Sequence, residues 1–326
     1  NLDNIGMPEL PEVQTIVDDL NKKILGQRIT GVWFDTPKMI SIIFADKRGK
    51  VRGTTRKNKE FKKVFEKEIK NLEIKEVKRR GKNILIYLAD SRQPAAGSYL
   101  LLIHQKLTGH LLVGKWKIEK ISSSRYQVSS LLKGFLEDKV NNYIHLIFYL
   151  DNGWQIGLSD LRKFAKVLLG SRKEIESLPE LKKLGPEPLD KNFSFEKFKK
   201  IITAEKRKIK QVLMDQEVIA GIGNIYSDEI LWQAKIHPFK SANKLTTNEL
   251  KALYKAMREI LKKAVKLRGT STSDYRDTAG QLGSYTEARL AYQREGEPCR
   301  RCKTPIKRIK IGERSAHFCS KCQKNI

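Results

Sequence analysis

Apolar residues are spaced differently in the two halves of the chain. From residue 11 to residue 25 they recur every three or four positions, which predicts an amphipathic helix near the N-terminus. The stretches that follow are short and rich in β-branched and aromatic residues, as strands are, and together they predict a β-sandwich or a barrel. The predicted strands cover residues 29–34, 83–88, 99–104, 143–150 and 154–158.

A segment rich in glycine and proline, residues 169–190, follows the strands and predicts a linker. Beyond it the apolar spacing becomes helical. We therefore expect a strand domain over residues 7–168, the linker, a helical domain over 191–290 and a C-terminal hairpin over 291–326. Helices are predicted over residues 195–203, 209–214, 226–234 and 247–268.

The composition is that of a strongly basic globular protein. The 326 residues carry a formal charge of +28, with a pI near 9.9. Such a charge attracts polyanions and favours a nucleic-acid partner, although a lysine-rich surface can also serve solubility alone. No apolar run approaches the ~18 residues of a membrane span, and residues 1–6 lack the features of a signal peptide. We therefore expect a soluble cytoplasmic protein that does not enter a membrane.

All four cysteines lie near the C-terminus, in the pattern C-x2-C-x16-C-x2-C formed by Cys299, Cys302, Cys319 and Cys322. Two close pairs separated by a hairpin-length segment suit one tetrahedral zinc ion. Two disulfides are the alternative, which the absence of a secretory signal disfavours. Four cysteine ligands leave no open position for water, so the expected zinc is structural.

Two short segments have open interpretations when taken alone. Gly221 and Gly223 precede a predicted helix, where backbone N–H groups can bind a phosphate, but a plain turn between helices has the same pattern. Near the N-terminus, Pro8 is followed by Glu9 and Glu12 at the predicted helix start. Capping and complementing the helix dipole would explain these residues as well as any chemistry.

Taken together, several motifs resemble the formamidopyrimidine-DNA glycosylase family. They occur in the order known for that family and cover nearly the whole chain. The resemblance implies an α+β fold, in which an N-terminal β-sandwich with a long helix is joined to a helical domain with a helix-two-turn-helix and a zinc-ribbon hairpin. The motifs are MPELPEV at 7–13, RRGKNILI at 79–86, LGPEPL at 184–189, LMDQEVIAGIGNIYSDEIL at 213–231, GEPCRRC at 296–302 and FCSKC at 318–322.

The resemblance implies catalytic roles for five residues. Pro8, once exposed as the N-terminal residue, presents a secondary amine that can act as the nucleophile. Glu9 would act as acid and base at the sugar oxygen, and Glu12 would support the proton transfers. Lys82 would reach the lesion from the RRGK turn, and Arg314 would complete the site from the hairpin.

Five further residues are assigned to DNA contacts by the same resemblance. Lys210 and Asn224 would bind phosphates beside the extruded nucleotide. Leu107, Lys163 and Phe164 would fill the gap that the nucleotide leaves. Here the sequence departs from the family pattern, because Leu107 and Lys163 stand in place of a methionine and an arginine. Lysine lacks the planar fork of arginine, which puts discrimination of the opposite base in doubt.

The sequence therefore predicts a monomeric, bifunctional DNA glycosylase and AP lyase that removes oxidised purines from double-stranded DNA. Two alternatives stay open: a glycosylase of the endonuclease VIII type that acts on oxidised pyrimidines, and a non-catalytic protein that binds damaged DNA. A chain that keeps residues 1–6 would hold the Pro8 nitrogen in an amide, which cannot form an iminium. We therefore expect the working chain to begin at Pro8, after translation from Met7.

Overall fold

The computed structural model describes residues 7–46, 50–54, 59–90, 98–122, 125–271 and 274–324. The predicted start at Met7 concerns residues 1–6, which lie outside the described residues. The chain divides into two compact units, each with its own apolar core. The sandwich unit comprises Glu12–Lys182 and Ser273–Gly283, and the helical unit comprises Asn1–Pro11, Lys183–Thr272 and Ser284–Ile326. The four-part division drawn from the sequence stays a prediction.

The sandwich unit contains two main sheets, which decide between the sandwich and the barrel that the strand pattern allowed. One sheet has six strands in the order β3-β2-β12-β6-β5-β4, and the other has four in the order β1-β10-β11-β7. Strands β8 and β9 form a separate hairpin. The strands are β1 (Ile29–Phe34), β2 (Ile40–Ala45), β3 (Val51–Thr54), β4 (Leu72–Arg80), β5 (Asn83–Asp90), β6 (Tyr99–His104), β7 (His110–Gly114), β8 (Trp116–Lys120), β9 (Tyr126–Ser130), β10 (Ile144–Leu150), β11 (Gln155–Ser159) and β12 (Lys166–Ser171).

The core of this unit lies between the two sheets and under two helices. Helix α1 (Leu10–Lys23) begins one residue before its predicted start and ends two residues before its predicted end. Its apolar positions recur every three or four residues, so they share one face, and they are fully buried with side chains from both sheets. Helix α2 (Lys59–Ile69) adds Phe61 and Phe65 to the same core.

The helical unit is built around two helices that pack against each other, α7 (Asn224–Ala234) and α8 (Thr247–Lys266). Helix α8 is amphipathic, and a Thr246–Glu249 capping box fixes its start. Helix α7 is buried on all sides, and two acidic residues lie within it. The helices of the second half are α3 (Arg172–Glu176), α4 (Pro179–Lys182), α5 (Phe195–Thr203), α6 (Ile209–Met214), α7 (Asn224–Ala234), α8 (Thr247–Lys266) and α9 (Tyr285–Ala288), and a two-stranded hairpin, β13 (Lys307–Ile311) and β14 (Arg314–Phe318), follows them.

The predicted elements are present with small shifts at their ends. Two of the five predicted strands and two of the four second-half helices have the predicted bounds. Seven of the twelve strands described in the sandwich unit were not predicted. Strand β4 is one of them, because its sequence LEIKEVKRR is too polar to indicate a strand, although Leu72, Ile74 and Val77 are buried. None of the described helices is both long and apolar enough to cross a membrane.

Candidate active site

The N-terminal end of α7 is occupied by the carboxylate of Glu9. One carboxylate oxygen accepts hydrogen bonds from the N–H groups of Gly223 (2.6 Å) and Tyr226 (3.3 Å), and the other accepts from Ile225 (2.8 Å). These N–H groups have no acceptor within the helix, and the positive end of the helix dipole favours an anion beside them. Phosphate binding at the N–H groups before this helix stays a prediction, and the carboxylate of Glu9, which already accepts hydrogen bonds from them, weighs against it.

Gly221 lies just before α7 and allows the backbone next to Glu9 to approach the start of that helix closely. The N–H of Leu10 donates to the carbonyl of Gly221 at 2.9 Å. Gly221 has φ +92°, and a Cβ on it would lie 2.8 Å from the Cβ of Leu10. Both the backbone conformation and the close approach therefore require glycine. The tight contact fixes the backbone beside Glu9, so packing by itself accounts for a glycine at this position.

Pro8 and Glu12 flank Glu9 in the sequence, and both are buried. Pro8 directly precedes Glu9, so the contacts of Glu9 with α7 restrict where the proline ring can lie. Glu12 lies in α1 and is fully buried within the sandwich unit, where its carbonyl accepts a hydrogen bond from the hydroxyl of Tyr275 at 3.4 Å. Glu9 is thus held through its carboxylate, and Glu12 is held through its backbone carbonyl.

A buried ion pair lies one turn into α7. The Nζ of Lys210 is 2.5 Å from Oδ1 of Asp228, and these side chains are 0% and 1% exposed. Oδ2 of Asp228 accepts the backbone N–H of His317 at 2.9 Å and lies 3.0 Å from Nδ1 of the same residue. Burial lowers the pKa of Lys210, while the charges of Asp228 and Glu9 oppose that shift. Glu9, Lys210, Asn224, Asp228 and His317 are referred to as the α7 site.

Sequence reasoning missed Asp228, His317 and Tyr292. Burial raises the pKa of Tyr292 to about 12, and the negative charges of Glu9 and Asp228 add to the rise. The side chain of Asn224 hydrogen-bonds to Tyr292, and this hydrogen bond opposes the rise in pKa. One sequence signal could have found Asp228: a charged residue inside a helix that is apolar all round must have a buried partner. No local pattern identifies that partner, because His317 lies 89 positions further on.

Arg314 and the four cysteines belong to the hairpin after α9. Arg314 is exposed at the first position of β14, and its charge acts on Lys210. The four sulfur atoms lie within 4.8 Å of one another, and Cys302 Sγ is 3.4 Å from both Cys319 Sγ and Cys322 Sγ. Tetrahedral zinc with Zn–S bonds of ~2.3 Å places its sulfurs about 3.8 Å apart, whereas a disulfide needs about 2.05 Å. All four cysteines are free, so the arrangement fits a metal site.

The thiols of this cluster do not ionise equally. Hydrogen bonds from Thr304 lower the pKa of Cys302 to about 6, while burial and the neighbouring sulfurs raise the pKa of Cys322 to about 12. Four thiolates at this spacing would repel one another. A divalent cation would offset that repulsion and favour the ionised form of every ligand. The donor set and its crowding therefore both fit zinc.

Lys82 lies in the turn between β4 and β5. Gly81 has φ +57°, and its carbonyl accepts Nη1 of Arg79 at 2.8 Å, which fixes the turn. Lys82 is half-buried. Within the same unit, burial lowers the pKa of His104 to about 3, and the charges of Lys106 and Lys82 add to the shift. Lys82 therefore belongs to a cluster of positive charge at the end of β6.

Two loops carry the three residues predicted to fill the gap in DNA. Residues 104–109 and 160–165, referred to as the wedge loops, are joined by the buried carboxylate of Asp160. This carboxylate hydrogen-bonds to the hydroxyl of Thr108 and accepts the N–H groups of Phe164 and Ala165, both at 2.8 Å. Asp160 thus holds the two loops together, although no sequence motif pointed to it.

The tips of the wedge loops have fewer hydrogen bonds and a less favourable backbone conformation than their base. Phe164 is 53% exposed and Leu107 is half-buried. Lys106 and Lys163 have φ values of +56° and +57°, which non-glycine residues rarely adopt. Gln105 is 1% exposed, and neither end of its amide has a hydrogen-bond partner among the described residues.

The chain matches three domain families along its length. Residues 7–167 match the formamidopyrimidine-DNA glycosylase N-terminal domain, and residues 184–276 match the H2TH domain of the same enzymes. Residues 296–325 match the zinc finger found in FPG and IleRS. Formamidopyrimidine-DNA glycosylase from Desulforamulus reducens is 38% identical over 98% of this chain and 99% of its own length.

The chain belongs to the formamidopyrimidine-DNA glycosylase family. The enzyme of that name from Herpetosiphon aurantiacus is 35% identical over 97% of this chain and 100% of its own length. Among solved structures, Lactococcus lactis Fpg in complex with DNA containing an abasic site has a TM-score of 0.75 and 30% identity, over 97% of this chain and 100% of that one. The chain is therefore a DNA repair glycosylase of a family known for glycosylase and lyase activity, and the predicted α+β fold is confirmed.

Proposed function

We propose that this member of the family excises oxidised purines from double-stranded DNA and then cleaves the strand at the same site. The observation that supports this most is the placement of Glu9, next to Pro8 and held by three N–H groups at the start of α7. A carboxylate fixed in this way can transfer protons beside an amine without first reorganising. Pro8 is the residue whose amine becomes available when the chain begins there.

The proposed reaction starts with the neutral secondary amine of Pro8. Its nitrogen attacks C1′, the bond from C1′ to the base breaks, and the base leaves with the proton that the Pro8 nitrogen releases. Opening of the sugar puts a proton on O4′, supplied by Glu9, and leaves an iminium between the nitrogen and C1′. The iminium acidifies C2′, and loss of the C2′ proton to solvent breaks the C3′–O bond and releases one phosphate. Loss of the C4′ proton then breaks the C5′–O bond and releases the other phosphate. Water then hydrolyses the remaining adduct and restores Pro8.

The other predicted residues support this reaction through position and charge. Glu12 lies three positions from Glu9 and would assist the proton transfers, while Lys82 would place a positive charge at the lesion. Asn224 and Arg314 would bind the phosphates beside the extruded nucleotide, since such contacts position DNA without reading its sequence. The assignment of Lys210 to a phosphate stays a prediction, and its burial weighs against it.

Double-stranded damaged DNA is the proposed partner. Its support comes from the charge of +28 and from relatives solved with abasic-site DNA and with Fapy-dG DNA. The wedge loops would fill the space left by the extruded nucleotide, with Leu107 and Phe164 as apolar surfaces and Lys163 facing the opposite base. Exposed apolar side chains on a basic surface suit that role.

Zinc is the proposed metal, held by Cys299, Cys302, Cys319 and Cys322. A closed set of four sulfur ligands would supply folding energy to the hairpin that carries Arg314. Metal analysis should give one zinc per chain, and Cys319→Ser should lose zinc and DNA affinity together. Normal binding and cleavage by a zinc-free preparation would contradict this role.

The lesion class is the finer part of the proposal. A panel of duplexes with 8-oxoguanine, formamidopyrimidine and oxidised pyrimidine lesions separates a purine enzyme from one of the endonuclease VIII type. The panel needs all three, because Lactococcus lactis Fpg is also solved with DNA containing an oxidised pyrimidine. We expect the highest kcat/KM on the two purine lesions. A preference for the pyrimidine lesion would support the alternative.

Borohydride reduction tests the chemistry, because it converts the iminium into a stable link between protein and DNA. A chain that begins at Pro8 should be trapped on lesion DNA, and a chain that begins at Asn1 should not. Trapping by a verified Asn1 chain would exclude Pro8 as the nucleophile and point to a lysine, with Lys82 the first to replace. Failure of both chains to be trapped, with DNA binding intact, would support a non-catalytic binding protein.

A further inference from the structure

Asp228 uses both carboxylate oxygens to join three elements of the helical unit. Oδ1 binds the ammonium of Lys210 in α6, and Oδ2 binds the backbone and ring of His317 in β14. The two partners lie 18 and 89 positions away along the chain. A single side chain in α7 thus connects a neighbouring helix and the hairpin that contains the four cysteines.

Lys210 has the contacts of an internal counter-ion. Its Nζ lies 2.5 Å from Asp228 and 3.5 Å from the carbonyl oxygen of Asn224, and the side chain is 0% exposed. Because the Lys210 side chain is 0% exposed, a phosphate could reach its ammonium only if the surrounding elements moved apart, which would also disrupt the pair with Asp228. Breaking a buried pair in that way is strongly unfavourable.

The contacts of Lys210 fall on the same helical turn that holds Glu9. Asn224 is the first residue of α7, and its carbonyl faces Lys210, while the N–H groups of Gly223, Ile225 and Tyr226 face Glu9. Arg314 lies three residues before His317 on β14, so its position depends on the same carboxylate. A shift of this turn by about 1 Å could cost on the order of 100-fold in rate.

We propose that Lys210 and Asp228 are positioning residues, which hold the α7 turn that binds Glu9 in register with the strand that carries Arg314, and that Lys210 makes no contact with DNA phosphate. The inference rests on the proposed role of Glu9 in catalysis. It assigns Lys210 a function through Asp228 and α7. The hairpin with the four cysteines would then influence the position of the Glu9 carboxylate through His317, Asp228 and α7.

The salt dependence of DNA binding separates the two roles of Lys210. Removing one phosphate contact lowers the slope of log K against log salt by roughly one unit. With a duplex carrying a tetrahydrofuran abasic analogue, Lys210→Met should keep the wild-type slope, whereas Arg314→Ala should lower it by about one. Lys206→Met, at an exposed lysine four residues earlier, is the matched control and should behave like wild type. A slope lowered by one unit in Lys210→Met would overturn the proposal.

Excision kinetics test the positioning role directly. Lys210→Met and Asp228→Asn should each lower kcat by about 10- to 100-fold and change KM by less than threefold, because DNA contacts remain while Glu9 is displaced. The combined variant removes both charges, and its asparagine can still accept the His317 N–H. It should recover at least tenfold in kcat over the poorer single variant. Losses that simply multiply in the combined variant would overturn the coupling.

Two measurements keep folding and function apart. Zinc content and thermal unfolding of each variant show whether the hairpin and the unit remain folded, and only variants that retain both are compared. If wild type beginning at Pro8 shows no excision, the proposed function fails. The salt slopes on the abasic analogue still decide whether Lys210 touches phosphate, since that measurement needs no chemistry.

Discussion

The carboxylates of the α7 site and the tips of the wedge loops differ in how their polar groups are hydrogen-bonded, although Oδ1 of Asn224 in the α7 site also has no partner among the described residues. At the α7 site, Glu9 and Asp228 are buried carboxylates whose oxygens accept N–H groups or an ammonium. In the wedge loops, the base is equally well bonded through Asp160, but the tips are not. Gln105 has a buried amide without a partner among the described residues, and Lys106 and Lys163 have left-handed backbones.

This difference indicates two kinds of functional surface. Groups that are fully bonded within the protein are already in place before DNA arrives, as electrostatic catalysis requires. Strained or unbonded groups cost free energy in the free protein and persist where binding uses them. We therefore interpret the carboxylates of the α7 site as the part fixed for chemistry and the loop tips as the part that adapts to the DNA gap.

The largest expected effect is at the α7 site. Glu9→Gln keeps the size of the side chain but removes its proton transfer, and its NH2 group would face the N–H donors of α7. We expect excision to fall by about 10²- to 10⁴-fold. Single-turnover kinetics on a formamidopyrimidine duplex measure this loss. Glu12→Gln is the comparison, because the contacts with α7 described here belong to Glu9. An equal loss of excision rate in both variants would show that the contact with α7 does not give Glu9 a larger role.

The base of the wedge loops should matter for stability more than their tips. Asp160→Ala leaves the buried donors of Thr108, Phe164 and Ala165 without an acceptor and should lower the free energy of unfolding by about 3 kcal/mol. Phe164→Ala removes an exposed side chain. It should change the free energy of unfolding by less than about 0.5 kcal/mol and weaken binding to lesion DNA. Urea unfolding distinguishes the two variants. Equal destabilisation would contradict the division between base and tip.

His104, the first residue of the wedge loop 104–109, should make the free energy of unfolding depend on pH. Burial lowers the pKa of His104 to about 3, so the unfolded chain takes up a proton below about 6.5 and the folded chain does not. Stability is therefore complete above pH 6.5 and decreases as the pH falls towards 3, by about 2 kcal/mol at pH 5. His104→Asn can still accept the Lys106 N–H and should remove this part of the pH dependence. Unchanged pH dependence in the variant would contradict the assignment.

The smallest effect is a gain in stability. Gln105→Leu replaces a buried amide that has no partner among the described residues, and it should raise the free energy of unfolding by about 1 kcal/mol. If the amide is used on DNA, the same variant should bind lesion duplex more weakly. Gln127→Leu, at an exposed glutamine of β9, should leave both unchanged. A destabilised Gln105→Leu would show that the amide is satisfied in the folded protein.

Local sequence determined some of the elements and the candidate metal ligands. The spacing of apolar residues in α1 defines one buried face of a helix, because that face depends only on residues a few positions apart. The two cysteine pairs predicted a cluster for the same reason, since each pair lies within one short turn. The sequence near Gly223 left phosphate binding open, because an empty helix end and one filled by a distant carboxylate have the same local sequence.

The partners of the buried charges were decided only by the tertiary structure. Glu9 reaches N–H groups more than two hundred positions away, and Asp228 reaches His317. Ser273–Gly283 joins the sandwich unit although it lies between parts of the helical unit in sequence. Such pairings follow from how whole elements pack, and a chain of 326 residues offers many acceptors for any one donor. Local periodicity fixes which face of an element is buried, whereas the choice of a distant partner depends on the complete fold.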